Sequence, residues 1–184
     1  MIETQPKSAA IMNRQDWILR SAALFLTTVS LYPAIAHLQI QPKSTPEQTD
    51  FGADSELERP IPVPEAALKA LRNALQATPD ELPAEQLRGS EVHLGGSTEA
   101  DLIVPVIGGG HAAFFYILRP TSVGYQLIFD SGGDSMTVLR TRSHGYRDLQ
   151  VEGLTMAGKN VTTAIYRFDG HKYVMTSEKT EHPN

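Results

Sequence analysis

The chain has no cysteine among its 184 residues. That absence excludes disulfides, thiolate nucleophiles and cysteine-ligated zinc together. A chain without cysteine must hold its fold without disulfides, with its core alone. Basic residues are in the minority: 16 Lys and Arg stand against 21 Asp and Glu, a formal net charge of −5. Residues 1–36 carry Lys7, Arg14 and Arg20 against Glu3 and Asp16, a net +1, which leaves −6 for the remainder. So acidic a domain lacks the basic footprint of a nucleic-acid binder, and no nucleic-acid partner is expected. No repeat with a period of tens of residues is visible. The six histidines, His37, His93, His111, His144, His171 and His182, show neither the i,i+4 nor the i,i+2 spacing of a local metal site. No metal and no cofactor is expected.

Residues 1–36 read as a targeting segment, with Met12 as an alternative start. Arg14 and Arg20 flank the apolar run Ala22–Leu31, and Ala34-Ile35-Ala36 fits a small-x-small cleavage site. The competing reading is an uncleaved anchor over Trp17–Ala36, but Arg20 and Pro33 interrupt it. A membrane partner is expected only if this segment stays uncleaved. Residues 37–60 are rich in Gln, Pro, Ser, Thr, Asp and Glu and read as a flexible tether. The globular domain is expected over 61–176, with 177–184 as a polar tail.

Pro64–Thr78 has the pattern of a helix: Ala67, Leu68, Leu71, Ala74 and Leu75 form one apolar stripe. Thr78-Pro79-Asp80-Glu81 offers a capping box for a second, very short helix before Pro83. Ala100–Ile107 reads as a buried strand with Pro105 at a bulge or edge. The densest signal is Phe114–Arg140. Phe114–Leu118 is apolar on both alternating faces, as in a strand buried on both sides. Tyr125, Leu127 and Phe129 alternate with Gln126, Ile128 and Asp130. Ser131-Gly132-Gly133-Asp134 reads as a turn, and Met136, Val138 and Arg140 lie on a third strand. Connections this short imply an antiparallel meander. Val161–Phe168 and His171–Thr176 read as a hairpin around Asp169-Gly170, its register left open. The expected fold class is α+β: one or two N-terminal helices packed on a mainly antiparallel sheet of roughly six to eight strands.

Four stretches carry a resemblance: Glu91-Val92-His93-Leu94-Gly95-Gly96, Ala100-Asp101-Leu102-Ile103-Val104, Gly145-Tyr146-Arg147-Asp148, and Tyr166-Arg167-Phe168-Asp169-Gly170-His171-Lys172-Tyr173. Through them, residues from about Leu82 to Val174 resemble an uncharacterised family of exported bacterial single-domain proteins. The resemblance covers about half the chain and implies export and a strand-rich domain, with no activity attached. Asp101–Val104 has a looser local likeness to FG-GAP propeller repeats. The preceding Gly95–Ala100 lacks the spaced aspartates that a calcium site needs.

Chemistry-bearing residues gather at the expected turns. Asp130 and Asp134 flank one of them and offer a carboxylate pair for acid–base work or a cation. His111 and His144 stand in or beside others. Tyr146, Arg147 and Asp148 combine an aromatic, a cation and an anion, residue types suited to an interface. These seven residues are the candidate binding set. No catalytic set stands out, and the leading expectation is an exported, non-catalytic binding module of the bacterial cell envelope, an inhibitor or accessory subunit. Its expected partner is another envelope or extracellular protein, and its place is periplasmic or extracellular. The alternatives are a small exported hydrolase using Asp130, Asp134 and a turn histidine, and a structural envelope protein with an uncleaved anchor.

Overall fold

The computed structural model describes residues 47–108, 112–155 and 160–182. Among them are ten strands and one α-helix. The strands are β1 (Asp50–Gly52), β2 (Ile61–Pro62), β3 (Arg88–Val92), β4 (Asp101–Ile107), β5 (Ala113–Thr121), β6 (Gly124–Gly133), β7 (Ser135–Ser143), β8 (Tyr146–Thr155), β9 (Asn160–Phe168) and β10 (Tyr173–Glu181). The helix, α1, spans Glu65–Leu75. The strands form two antiparallel sheets of five, ordered β2-β3-β4-β5-β6 and β1-β7-β8-β9-β10.

This corrects the α+β expectation. The molecule is mostly β, and the Thr78–Glu81 capping box closes only a turn, where Glu81 accepts the Thr78 N–H at 2.7 Å. The physical reason lies at Ser131–Asp134. The expected meander would make β6 and β7 neighbours, yet β6 pairs with β5 while β7 pairs with β1 and β8. Only Asp134 separates the two strands. Its N–H donates to the Glu152 carbonyl at 2.7 Å, and its carbonyl accepts the Ala53 N–H at 2.8 Å. The chain has therefore moved its ladder bonds to the second sheet without reversing direction. Such a sheet-switching corner lets one continuous chain line both layers. Gly133 permits it through its missing side chain, because a Cβ there would lie 2.5 Å from Val151 Cγ1 and 2.7 Å from the Glu152 carbonyl.

True reversals carry positive φ. His144 and Gly145 take φ of 48° and 83° in the two-residue β7–β8 loop, where Ser143 faces Tyr146. Positive φ at both loop residues is the backbone of a tight hairpin. The β9–β10 loop holds Asp169–Lys172, with Phe168 facing Tyr173. Asp169 Oδ1 accepts the N–H groups of His171 and Lys172 at 2.8 and 2.9 Å. This longer loop sets Arg167 opposite Val174 and so avoids a like-charge pair with Lys172.

Two cores follow from strand alternation. Between the sheets lie Phe51, Ile103, Phe115, Ile117, Ile128, Phe129, Met136, Val138, Leu149 and Phe168. On the other face of the first sheet, Leu102, Val104, Tyr116 and Leu118 meet Ala67, Leu68 and Leu71 of α1. β4 and β5 thus serve both cores, which accounts for apolar residues at consecutive positions. The structure also departs from the expected tether. Phe51, inside the 37–60 stretch, is 2% exposed and faces Met136 across β1–β7. Likewise β10 continues to Glu181, into the stretch read as tail. Among the described residues, no helix is long and apolar enough to cross a membrane.

Candidate functional site

One end of the inter-sheet core is polar. The start of β4 brings Asp101, the end of β5 Arg119, the start of β8 Tyr146 and Asp148, the end of β9 Phe168, and the start of β10 Tyr173. Strand ends converge there because the register sets Phe168 opposite Tyr173 and Leu102 opposite Leu118, one step inside Asp101 and Arg119. The rings of Tyr146 and Phe168 stack at 4.3 Å. The Arg119 guanidinium carbon lies 4.5 Å from the first ring centroid and 4.6 Å from the second. Cation–π attraction is strongest where, as here, water is scarce.

Asp101 is 3% exposed. Burial pushes its carboxyl up to about 6, against the opposing pull of Arg119, the Leu94 and Gly95 N–H groups and His93. Burial, and then the charge on Asp101, also raises the Tyr146 phenol. The Tyr173 phenol is driven far above its ordinary range, first by burial and then by Asp101, Tyr146 and Asp148. It stays protonated and donates to the Arg147 carbonyl at 2.7 Å. Arg119 Nε and Nη2 and Asp148 Oδ1 are buried without hydrogen-bond partners. Each such group costs about 1–3 kcal/mol. The cluster is therefore a place where the fold tolerates uncompensated polarity.

The expected site residues are dispersed. His111 lies outside the described residues. His144 is exposed in the β7–β8 loop, its Nδ1 2.8 Å from the Phe168 carbonyl. Asp130 is exposed on β6 opposite Tyr116. Asp134 sits at the corner, four residues further along extended chain, about 13 Å away at the rise of a strand. His144 follows at the far end of β7, about 30 Å beyond Asp134 on the same rise. The turn carboxylates and histidine therefore do not form a triangle. Tyr146 and Asp148 do enter the polar cluster. Arg147 instead donates from Nε and Nη2 to the Leu139 and Val138 carbonyls, both at 2.8 Å. The β7–β8 register slips between Val138 and Arg142, and the guanidinium meets carbonyls at the slip. Asp101, Arg119, Phe168 and Tyr173 were not among the expected residues. The one local signal was a charge at one end of each of two apolar strands, Asp101 before Leu102-Ile103-Val104 in β4 and Arg119 after Ile117-Leu118 in β5.

A second feature lies on the helix-side face of the first sheet, past the end of α1's cover. Phe114 is 50% exposed. Phe114 stacks on Tyr116 at 6.5 Å with a 15° interplanar angle. Its ring also lies over Gly132, directly across the β5–β6 ladder. Cross-strand partners share a face, so Asp130 borders this aromatic patch. A polar groove beside the end of α1 has its one guanidinium engaged, since Arg72 Nε and Nη2 donate to the Leu82 carbonyl. Among the described residues, no group of three or more His, Asp or Glu is placed to hold a metal ion. Compared with protein-family models, curated proteins and solved structures, the chain matches none.

Proposed function

We propose that the chain is an exported, non-catalytic binding module of the bacterial cell envelope, an inhibitor or accessory subunit of another envelope or extracellular protein. The observation that carries this reading is the uncovered Phe114, stacked on Tyr116 and bordered by Asp130. Large aromatics left in water beside a charge are the material of interface hot spots. The separation of Asp130, Asp134 and His144 weighs against the hydrolase alternative. Export is supported by Arg14, Arg20, the Ala22–Leu31 run and Ala34-Ile35-Ala36, together with the resemblance of Leu82–Val174 to exported bacterial proteins.

The test uses residues 37–184 as bait in envelope extract of the host, alongside a folded Phe114→Ser bait. A protein held by the first and lost by the second is purified, and its Kd is measured with both. Loss of a hot-spot aromatic should weaken binding at least tenfold, about 1.4 kcal/mol. Equal affinity for both baits overturns the patch. A wild-type hydrolase activity that folded Asp130→Asn loses would replace the binding reading with the enzyme.

A further inference from the structure

Among the described residues the two sheets have four edge strands, β1 and β10 in one, β2 and β6 in the other. A free edge is a row of unpaired N–H and C=O groups, and proteins guard it with short strands, proline, lysine or bulges. Three of these edges are guarded. β1 has three residues, and β2 has two, one of them Pro62. β10 carries Glu178, Lys179 and Glu181 and is bulged between Met175 and Ser177. β6 is different: it runs for ten residues, Gly124–Gly133, without Lys, Arg or Pro. Tyr125 and Leu127 pack into the core under α1, and the ladder to β5 skips Ile128. Beyond that slip, Phe129–Gly133 pairs regularly with β5 on one side and, among the described residues, with no strand on the other. Uncovered apolar side chains flank this stretch on both faces. On the helix-side face, the half-exposed Phe114 ring lies over Gly132, with Asp130 exposed two residues away. On the inter-sheet face, Ser131 Oγ meets Tyr166 Oη of β9 at 3.0 Å, and Phe129 packs edge-on against Tyr166 and Tyr173. β10 lies one strand further out. Its Met175 is opposite Tyr166 and so faces the same inter-sheet space, yet it is 54% exposed. At Met175, β10 is a ledge over which the first sheet is one strand short.

We infer that Phe129–Gly133 is a docking edge: an extended segment of the partner adds to β6 as a further strand and lies over Met175. This rests on the reading of the Phe114 patch as a partner surface and names the form in which the partner meets it. Main-chain bonds to a free edge supply affinity, and alternate side chains supply specificity. The edge sets the chemistry of the segment. Its residue beside Ser131 points between the sheets, onto Met175, and is apolar. The neighbour beside Gly132 points the other way, against the Phe114 ring, and is apolar or aromatic. The residue beside Asp130 shares that second face and is Lys or Arg. The same charge selects against a second copy as the occupant. Asp130 is the one charged residue of β6, and the chain carries a net −5, so two copies would bring acidic edges together.

Random nine-residue peptides, displayed and selected on the full chain, test it. Selection should enrich two adjacent apolar residues next to Lys or Arg. Kd for a selected peptide should weaken about tenfold or more in Met175→Ser and in Phe114→Ser. It should weaken about threefold in Asp130→Asn, the worth of an exposed charge pair. All three side chains are exposed, so the variants keep the fold. The selected peptide is then made with N-methyl groups on one or the other set of alternate amides. An added strand turns every second amide toward β6 and the rest to solvent. One methylated set should therefore abolish binding, and the other should leave Kd within about threefold of the parent. Equal effects of the two sets overturn the added strand, and a loss in Phe114→Ser would then still uphold the patch. One blocked set and a loss in Met175→Ser, with Phe114→Ser unchanged, would uphold the added strand and remove the patch. Failure to enrich any peptide overturns the inference. So does a wild-type dimer in sedimentation that Met175→Ser dissociates, which would give the edge to a second copy.

Discussion

Two connections in this molecule look alike in sequence and do opposite things. Ser131-Gly132-Gly133-Asp134 joins β6 to β7, and Ser143-His144-Gly145-Tyr146 joins β7 to β8. The second reverses the chain, with positive φ at both loop residues. The first keeps φ negative, runs straight on, and hands the chain from one sheet to the other. Glycine serves a different physical need in each. At Gly145 it supplies a backbone conformation. At Gly133 it supplies room, because Val151 and the Glu152 carbonyl fill the space a side chain would take. A Gly-Gly pair between two alternating segments fits a hairpin and a corner equally well, and the difference decides whether the fold has one sheet or two.

The largest expected effect comes from removing what braces the corner. β1 pairs with β7 immediately after it, and Phe51 fills the inter-sheet core there. Phe51→Ala should cost about 3–5 kcal/mol in chemical denaturation. A loss under 1 kcal/mol would return residues 37–60 to the role of tether and leave the corner self-supporting. Next is Gly133→Ala. Its added methyl meets backbone that cannot rotate away, and overpacking of this kind costs about 1–3 kcal/mol, here at the upper end. Gly145→Ala follows at about 1–2 kcal/mol, the strain of an L side chain in left-handed backbone. Gly145→Asn should recover part of that loss, whereas Gly133→Asn should be worse than Gly133→Ala. That crossing of the two series separates a dihedral requirement from a steric one.

The same contrast explains what was legible in the sequence. Strand positions were, because alternation is local: Tyr125–Phe129 and Val161–Phe168 announce themselves. So was the Asp169-Gly170 reversal. Sheet membership was not, because nothing within Phe114–Arg140 says that Gly133 will lie against Val151 and Glu152, some twenty residues away. Phe51 was hidden for a different reason. One aromatic in a polar stretch has no periodicity to read, and its burial depends wholly on pairing with β7. The polar cluster was half visible. Tyr146 and Asp148 stood out as neighbours in one short stretch, but Asp101, Arg119, Phe168 and Tyr173 come from four other strands. Only the assembled ends of the sheets bring them together. An aspartate heading an apolar strand looks like a solvated strand end until the opposite sheet covers it.

The smallest expected effect is at Gly132, and it tells the most about function. Gly132 neighbours Gly133 but faces the opposite way, toward Phe114. A Cβ there would lie 3.3 Å from Phe114 Cε1, and that ring is half exposed and free to yield. Replacing glycine by alanine in extended backbone also reduces the entropy of the unfolded chain, a gain of about 0.4–1 kcal/mol. The two terms oppose each other, so Gly132→Ala should leave the denaturation midpoint within about 0.5 kcal/mol of wild type. A loss like that of Gly133→Ala would mean that both glycines are needed for the corner. With stability unchanged, the displaced ring becomes a clean probe of the proposed partner surface. Kd for the partner retained by wild-type bait and lost by Phe114→Ser should weaken in Gly132→Ala, because the ring must move off the position it holds over the β5–β6 ladder. Unchanged affinity would show that the partner does not read the position of the Phe114 ring. The patch would then act by its area alone.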